Sequence, residues 1–248
     1  MWTFLASGEV EVNAMISATE EIEQLQVEAE RWSADEILRW GLSRFHPQVA
    51  LATGFGAEGV VLIDLAVRLR PDVRIFTLDT NFLFPETYVL MERIEKRYGI
   101  SIERCRPELT PQQQARTHGT ELWSREPDRC CELRKVEPLK KKLAELRAWV
   151  TGIRRDQTPA RASIRKLEWD TKFGLFKLNP LADWTWEQVW GYIRRHQVPY
   201  NPLHDQGYPS LGCTHCTRSV QPGEDLRAGR WPGFNKTECG LHGNGVNR

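Results

Sequence analysis

The sequence predicts an α/β protein with a doubly wound parallel sheet. Two observations carry this. Short apolar runs alternate with segments of helical periodicity, the pattern of a parallel sheet covered by helices on both faces. The first run is also followed by a Gly-containing turn, Gly54-Phe-Gly56, placed where such sheets bind ligands, at the carboxyl ends of their strands. The chain has 248 residues, enough for one large domain or two small ones and for a core without covalent staples.

Residues 1 to about 18 lack periodicity and read as an arm, and Met15 is an alternative start. From Thr19 to Phe45 the pattern is helical, with Ile22, Leu25, Trp32, Ile37, Leu38 and Trp40 spaced for one apolar side. Ser33 with Glu36 forms a capping box that starts a second helix. Val49–Thr53 is a buried strand, and Val60, Val61, Ile63, Leu65 and Leu69 belong to a helix that ends before Pro71. Val73–Leu78 is the next strand. Pro85 opens a helix that runs to Tyr98 and is closed by Gly99. Ile100–Cys105 is a third strand, 111–147 is helical, and Ala148–Thr151 is a fourth strand. Leu175–Leu181 is a further strand, and Thr185 caps a helix to His196. Beyond Val198, Pro and Gly dominate, and the last 36 or so residues read as an extended tail. The expected division is an N-terminal segment 1–45, an α/β domain 46–210 and a C-terminal tail 211–248.

Composition narrows the function classes. Lys plus Arg number 34 and Asp plus Glu 33, a balance that gives no general case for coating nucleic acid. No apolar run reaches the ~18 residues of a membrane span. The tryptophans at 184, 186, 190 and 231 are read as core packing rather than a base-stacking surface. No basic region precedes the first apolar residues, so a secretory signal is not expected and a reducing cytosol is.

In that compartment the six cysteines, at 105, 130, 131, 213, 216 and 239, point to metal or redox chemistry rather than disulfides. Cys213-Thr-His-Cys216 alone suits a redox pair, half a zinc knuckle or half a cluster site. Adjacent Cys130 and Cys131 are poorly placed for one zinc ion, whose chelating pairs are separated by two to four residues. A four-iron cluster wants one thiolate on each iron, so the combined set favours [4Fe-4S]. Zinc and unliganded buried thiols stay open. Cys239 has no cysteine neighbour, and Lys236 and His242 beside it suggest an activated thiolate. Cys105, at the end of an apolar run, reads as a small core residue.

Five segments taken together resemble the assimilatory adenylylsulfate and phosphoadenylylsulfate reductases. They are Leu78-Asp-Thr80 with Phe84–Tyr88, Arg129-Cys-Cys131 with Lys135, Thr151–Gln157 with Arg161, Cys213-xx-Cys216, and Glu238-Cys-Gly-Leu-His242. The resemblance implies a pyrophosphatase-loop (adenine nucleotide alpha hydrolase-like) α/β fold with a mobile C-terminal tail. The two cysteine pairs resemble the cluster-containing branch, which typically acts on adenylylsulfate. That implies a [4Fe-4S] cluster on Cys130, Cys131, Cys213 and Cys216. It also implies attack by Cys239 on the substrate sulfur, a thiosulfonate, and its discharge as sulfite by thioredoxin or a similar dithiol. Expected substrate contacts are Thr53, Gly56, Asp79, Lys135, Arg154, Arg161, Arg227 and Arg230. The 3′-phosphorylated nucleotide (PAPS), or both, is the alternative substrate, and homo-oligomer formation stays open.

The sequence departs from the family pattern in the nucleotide loop. Gly54 and Phe55 stand where serine is common, Gly59 where Asp is, and Asn81 where Gly is. Two other classes are weighed: an adenylating pyrophosphatase-loop enzyme, whose SGGxDS-type loop is missing, and a non-enzymatic redox-sensing module, against which the Cys239 motif argues.

Overall fold

A computed structural model describes residues 22–242. The expected arm, the alternative start and the residues after His242 lie outside the described residues. The chain order is helix α1 (22–29), α2 (Ala34–Phe45), β1 (Val49–Ala52), α3 (Ala57–Leu69), β2 (Arg74–Leu78), α4 (Pro85–Tyr98) and β3 (Ile102–Cys105). Then come α5 (Pro111–His118), α6 (Leu122–Arg125), α7 (Pro127–Cys131), a π-helical turn (Glu132–Val136) and α8 (Glu137–Leu143). The chain continues through β4 (Ala148–Val150), β5 (Leu167–Asp170), β6 (Leu175–Leu178) and α9 (Trp186–His196).

The six strands form one sheet in the order β3-β2-β1-β4-β6-β5. All neighbours pair parallel except β5 with β6. The chain winds outward from β1 to β3 on one side, then returns to add β4 on the other. This reversal leaves a crevice at the carboxyl ends of β1, β2 and β4.

Strand pleating sends alternate side chains to opposite faces. Val49, Leu51, Ile75, Ala148 and Val150 pack into the larger core with residues of α2, α3, α4 and α9. Ala50, Phe76 and Trp149 face the other way, onto Leu139 and Leu143 of α8 and the following Leu146. The predicted capping box holds: Glu36 N–H donates to Ser33 Oγ, and Ser33 N–H donates to the Glu36 carboxylate at 2.7 Å. Trp231 is fully buried, and Trp184, Trp186 and Trp190 pack against the larger core, as their reading as packing residues requires.

Four expectations need correction. The helical stretch 111–147 is broken, because Gly119 and Glu121 take positive φ and Pro127 starts a new helix. Strand β5 went unpredicted; it is an edge strand whose central Glu168 and Trp169 are not buried. The following strand ends at Leu178 rather than Leu181. The C-terminal residues are not an extended tail. Irregular backbone after α9 is folded onto the carboxyl edge of the sheet by 3-10 turns at Pro202–Gln206 and Thr214–Cys216 and by bridges Leu83–Cys213 and Thr217–Arg230.

The core assignment carries a simple test. Leu62 of α3 is fully buried, whereas Val89 of α4 is 65% exposed. Leu62→Ala should cost about 2–5 kcal/mol in urea unfolding, and Val89→Ala within about 0.5 kcal/mol. Equal effects would contradict this packing.

Candidate active site

The loop after β1 sets the floor of the crevice. Thr53 Oγ1 accepts from Phe55 N–H at 3.0 Å, which holds Phe55 in a left-handed turn (φ 58°) with its ring fully buried. Gly56 caps α3 with no side-chain hydrogen bond. The first-turn N–H groups of that helix therefore form an anion site of the usual kind. Gly59 explains one departure from the family pattern: a Cβ there would sit 2.5 Å from Thr53 Oγ1. The first turn of α3 lies so close to the loop that a larger residue would force the two apart.

One cavity above this loop takes in Thr53, Gly56, Lys135, Arg161, Arg227, Arg230 and Cys239. Sequence positions scattered from 53 to 239 thus meet at the carboxyl ends of β1, β2 and β4. Asp79 and Arg154 do not line it, although both were expected to touch substrate. Asp79 accepts hydrogen bonds from Tyr88 Oη at 2.7 Å, Arg106 Nε at 3.0 Å and Asn81 N–H. Its burial opposes ionisation, but these three donors prevail and hold its pKa below the ordinary value. Arg154 is 2% exposed and its guanidinium donates to Glu58 at 2.9 Å, to Asp156 and to the Trp184 carbonyl. Both side chains are held by protein groups and brace the loops, and Arg154 lines a neighbouring cavity with Gly56, Arg227 and Arg230.

The cavity cations differ from those two. Arg227 Nε and Arg230 Nε are buried with no hydrogen-bond partner. Burial and neighbouring Arg161 push Arg227 down to about 10. Lys135 is buried, and among the described residues no carboxylate pairs with it. Burial alone would depress it, yet Cys213, Cys131 and Cys239 around it raise it above the ordinary lysine value. Arg230 lies 4.5 Å and Lys135 6.0 Å from the Trp231 ring centroid. Arg161 alone has a carboxylate facing it squarely, from Glu238. Donors left without acceptors in a closed space are costly, and an anionic ligand satisfies them.

Cys239 is half-buried on the cavity wall. Lys236 beside it is tied to Asp128 and stands 5.3 Å from the Trp231 ring. His242 is not the cation expected from sequence. It stacks on Trp149 (centroids 5.5 Å apart), where burial, then Lys177 and Arg161, push it well below the ordinary histidine value and keep it neutral. Cys105 stands at the margin of the core rather than inside it, packed against the cluster that holds Ala50, Phe76 and Trp149. It is half-buried on edge strand β3, where burial and Glu103 raise its thiol to about 11.

A second, smaller cavity adjoins the first and is lined by Cys130, Cys131, Cys213 and Cys216 with Phe82, Trp123, Arg134, Lys135 and His215. The end of α7 supplies Cys130 and Cys131, and the turn Cys213–Cys216 supplies the others. All four thiols are buried and none is in a disulfide. Thr214 N–H donates to the Phe82 carbonyl at 2.8 Å, which pins that turn beside the loop after β2. Trp123 and His215 stack at 3.9 Å with Phe82 edge-on to both, closing the side.

Burial raises Cys130 to about 11 and Cys216 to about 12, and raises Cys131 as well. Arg134, missed in the sequence, is 1% exposed, gives one hydrogen bond to the Thr80 carbonyl, and leaves Nε and one terminal nitrogen unpartnered. Trp231 Nε1 is likewise buried without an acceptor. Thr80 Oγ1 lies 3.3 Å from Cys213 Sγ. Among the described residues no three His, Cys, Asp or Glu side chains meet at a single-ion position. Four buried thiols beside two cations without counter-ions suit an anionic, thiolate-held group.

The two sorts of arginine separate experimentally. Arg154→Met strands Glu58 and should cost about 3 kcal/mol of stability in thermal unfolding. Arg227→Lys should leave the melting temperature within a few degrees and, in a Cys239→Ser background that cannot react, weaken adenylylsulfate binding about tenfold, read by calorimetry. The reverse pattern would reassign both.

Comparison with known proteins agrees with this geometry. Residues 48–219 match the phosphoadenosine phosphosulfate reductase domain. The adenosine 5′-phosphosulfate reductase of Halalkalibacterium halodurans is 48% identical over 222 residues, covering 89% of this chain and 96% of that protein. Adenosine 5′-phosphosulfate reductase 1 of Bacillus subtilis is 49% identical over 207 residues, covering 83% and 89%. The solved phosphoadenylyl-sulfate reductase of Candida auris, a phosphate complex, superposes with a TM-score of 0.72 at 33% identity, covering 80% of this chain and 97% of that one. The chain therefore belongs to the phosphoadenosine phosphosulfate reductase domain family.

Proposed function

We propose that this protein reduces adenylylsulfate to sulfite and AMP in the cytoplasm, for sulfate assimilation, using Cys239 as nucleophile and thioredoxin or a similar dithiol as reductant. The observation that carries the reading is a thiol on the wall of a cavity that also takes in Lys135, Arg161, Arg227, Arg230 and a helix N-terminus, with Glu58 as its one lining carboxylate among the described residues. The relatives near 48% identity carry the name of that activity.

The chemistry follows from the groups. The α3 N-terminus and the Thr53–Gly56 loop hold the nucleotide phosphate. Arg227 and Arg230, with Lys135, meet the sulfate oxygens with their unpartnered donors. The Cys239 thiolate attacks sulfur, the S–O bond to phosphate breaks, and AMP leaves with that electron pair, steadied by the cations and the helix end. A donor thiolate then attacks Cys239 Sγ. Sulfite leaves, a mixed disulfide forms, and the donor's second thiol resolves it. The dithiol supplies both electrons.

Cys130, Cys131, Cys213 and Cys216 would hold a [4Fe-4S] cluster, one thiolate per iron. Bound there, it supplies a fixed negative charge opposite Arg134 and Lys135 rather than electrons. Four irons do not require four thiols to meet at one point, whereas a zinc site does.

Anaerobically prepared protein should contain about four irons and four sulfides per chain; stoichiometric zinc without sulfide would overturn the assignment. With adenylylsulfate and no reductant, the protein should gain one sulfonate on Cys239 and release AMP once. Cys239→Ser should keep iron and AMP binding yet form no adduct, whereas near-parental turnover would rule out the mechanism. The candidate substrates also separate kinetically: kcat/KM should favour adenylylsulfate, and a tenfold preference for the 3′-phosphorylated nucleotide, about 1.4 kcal/mol at the transition state, would reverse the choice.

A further inference from the structure

The residue before the proposed nucleophile is a buried carboxylate that the chemistry above does not use. Glu238 is 9% exposed. Its two oxygens accept separately from Arg161, Oε1 from Nε at 2.8 Å and Oε2 from a terminal nitrogen at 2.7 Å. Thr158 Oγ1 donates to it more weakly at 3.4 Å. Arg227 stands 3.7 Å from Oε2 and also donates to the Thr237 carbonyl at 2.9 Å. Arg161 in turn donates to Gln157, whose amide donates to Glu58 at 3.0 Å. The segment bearing Cys239 is thereby joined to the loop after β4 and to the nucleotide loop after β1.

Other contacts of this segment are weaker tethers. Lys236 pairs with Asp128, which is 79% exposed. Lys172, on an exposed contact, donates to the Gly240 carbonyl at 2.6 Å. A single contact with one partner exposed, as Lys236 makes to Asp128, contributes less than a bidentate Arg–carboxylate pair with both partners buried, which is also directional. Among these tethers the Glu238–Arg161 pair dominates in holding the thiol at the cavity wall.

We infer that Glu238 is a positioning residue for sulfonation of Cys239: seated on Arg161, it holds the C-terminal segment closed with the thiol in the cavity. The inference rests on the reductase reading.

The test uses full-length, anaerobically purified protein and its Glu238→Gln and Glu238→Asp variants. Iodoacetamide alkylation of Cys239 without nucleotide, read by peptide mass spectrometry, reports how often the segment opens. Glu238→Gln should raise that rate about fivefold, as expected for a destabilised closed state. It should slow single-turnover sulfonation at saturating adenylylsulfate about tenfold, with AMP affinity changed less than about twofold. Glu238→Asp, which keeps the charge on a shorter stem, should fall between. Parental alkylation and sulfonation rates in Glu238→Gln would overturn the proposal, as would a lowered melting temperature with both rates unmoved. If the parental protein forms no adduct with either sulfonucleotide, the reductase reading fails instead, and alkylation alone decides whether Glu238 holds the segment closed.

Discussion

Positive charge gathered in a closed space is the constraint around which this end of the molecule is arranged. Arg134, Lys135 and Arg161 are buried, and Arg227 and Arg230 are half-buried beside them. Burying a charge is costly unless it is paired, and Glu238 is the carboxylate within reach of Arg161 and Arg227. The arrangement makes physical sense only with anions in both cavities. A sulfonucleotide supplies them in the larger one. In the smaller one, burial raises the thiols of Cys130, Cys131 and Cys216, and on the proposed reading a thiolate-held group supplies the negative charge there. The fold tolerates the excess because its sheet, packed on both faces, carries the stability elsewhere.

Much of the fold was legible because its period is simple. Each central strand is buried on both sides and reads as an apolar run, and Ser33, Pro85 and Thr185 mark helix starts by ordinary capping chemistry. Strand β5 was not legible, since Leu167-Glu-Trp-Asp170 at the sheet edge pairs on one side and needs no apolar alternation. Cys105 misled for the same reason: it ends an apolar-looking run, but β3 is the opposite edge. The segment 111–147 has helical composition throughout, yet left-handed turns at Gly119 and Glu121 and the π-helical turn at Glu132–Val136 redirect it. Those turns bring Cys130, Cys131, Arg134 and Lys135 to one place.

For the site, the cysteines were legible and the arginines were not. Spacing alone favours four irons over one zinc for CC plus CxxC and leaves zinc open. Nothing in the residue type distinguishes Arg154 from Arg227. The difference lies in partners that are remote in sequence: Glu58 neutralises Arg154, whereas Arg227 Nε is left without an acceptor. The same holds for Asp79, which looked available until Tyr88 and Arg106 were found on it. Glu58 also ties the nucleotide loop to its neighbour. It occupies the second position of α3, reaches across to Arg154 and Gln157, and lies against Gly152, where a Cβ would come within 3.0 Å of Glu58 Cβ. The loop after β1 and the loop after β4 are thus joined by a carboxylate. Family members with Asp at the next position have a carboxylate one residue along, where this chain has Gly59 and no room for one.

The position of the thiolate-lined cavity bears on how the C-terminal segment can work. One pair of cysteines comes from the end of α7 and the other from the turn at Thr214–Cys216, at the base of that segment. On the proposed reading a group bridging the two pairs would fix the base against the sheet edge, and Trp231, fully buried against Cys131, Cys213 and Cys216, carries this fixation about fifteen residues beyond Cys216. Past Trp231 the backbone runs through Pro232 and Gly233 and is held chiefly by side-chain contacts at Lys236, Glu238 and His242. Rigidity therefore ends just short of Cys239. The residues between Trp231 and Cys239 form a short arm about a fixed pivot, which limits the thiol to a small arc instead of a random search. On the proposed mechanism, a thiol restricted in this way meets the substrate sulfur at high effective concentration, and a bridging group at the four cysteines would govern the rate of sulfur transfer without passing an electron, because it would set where the arm begins.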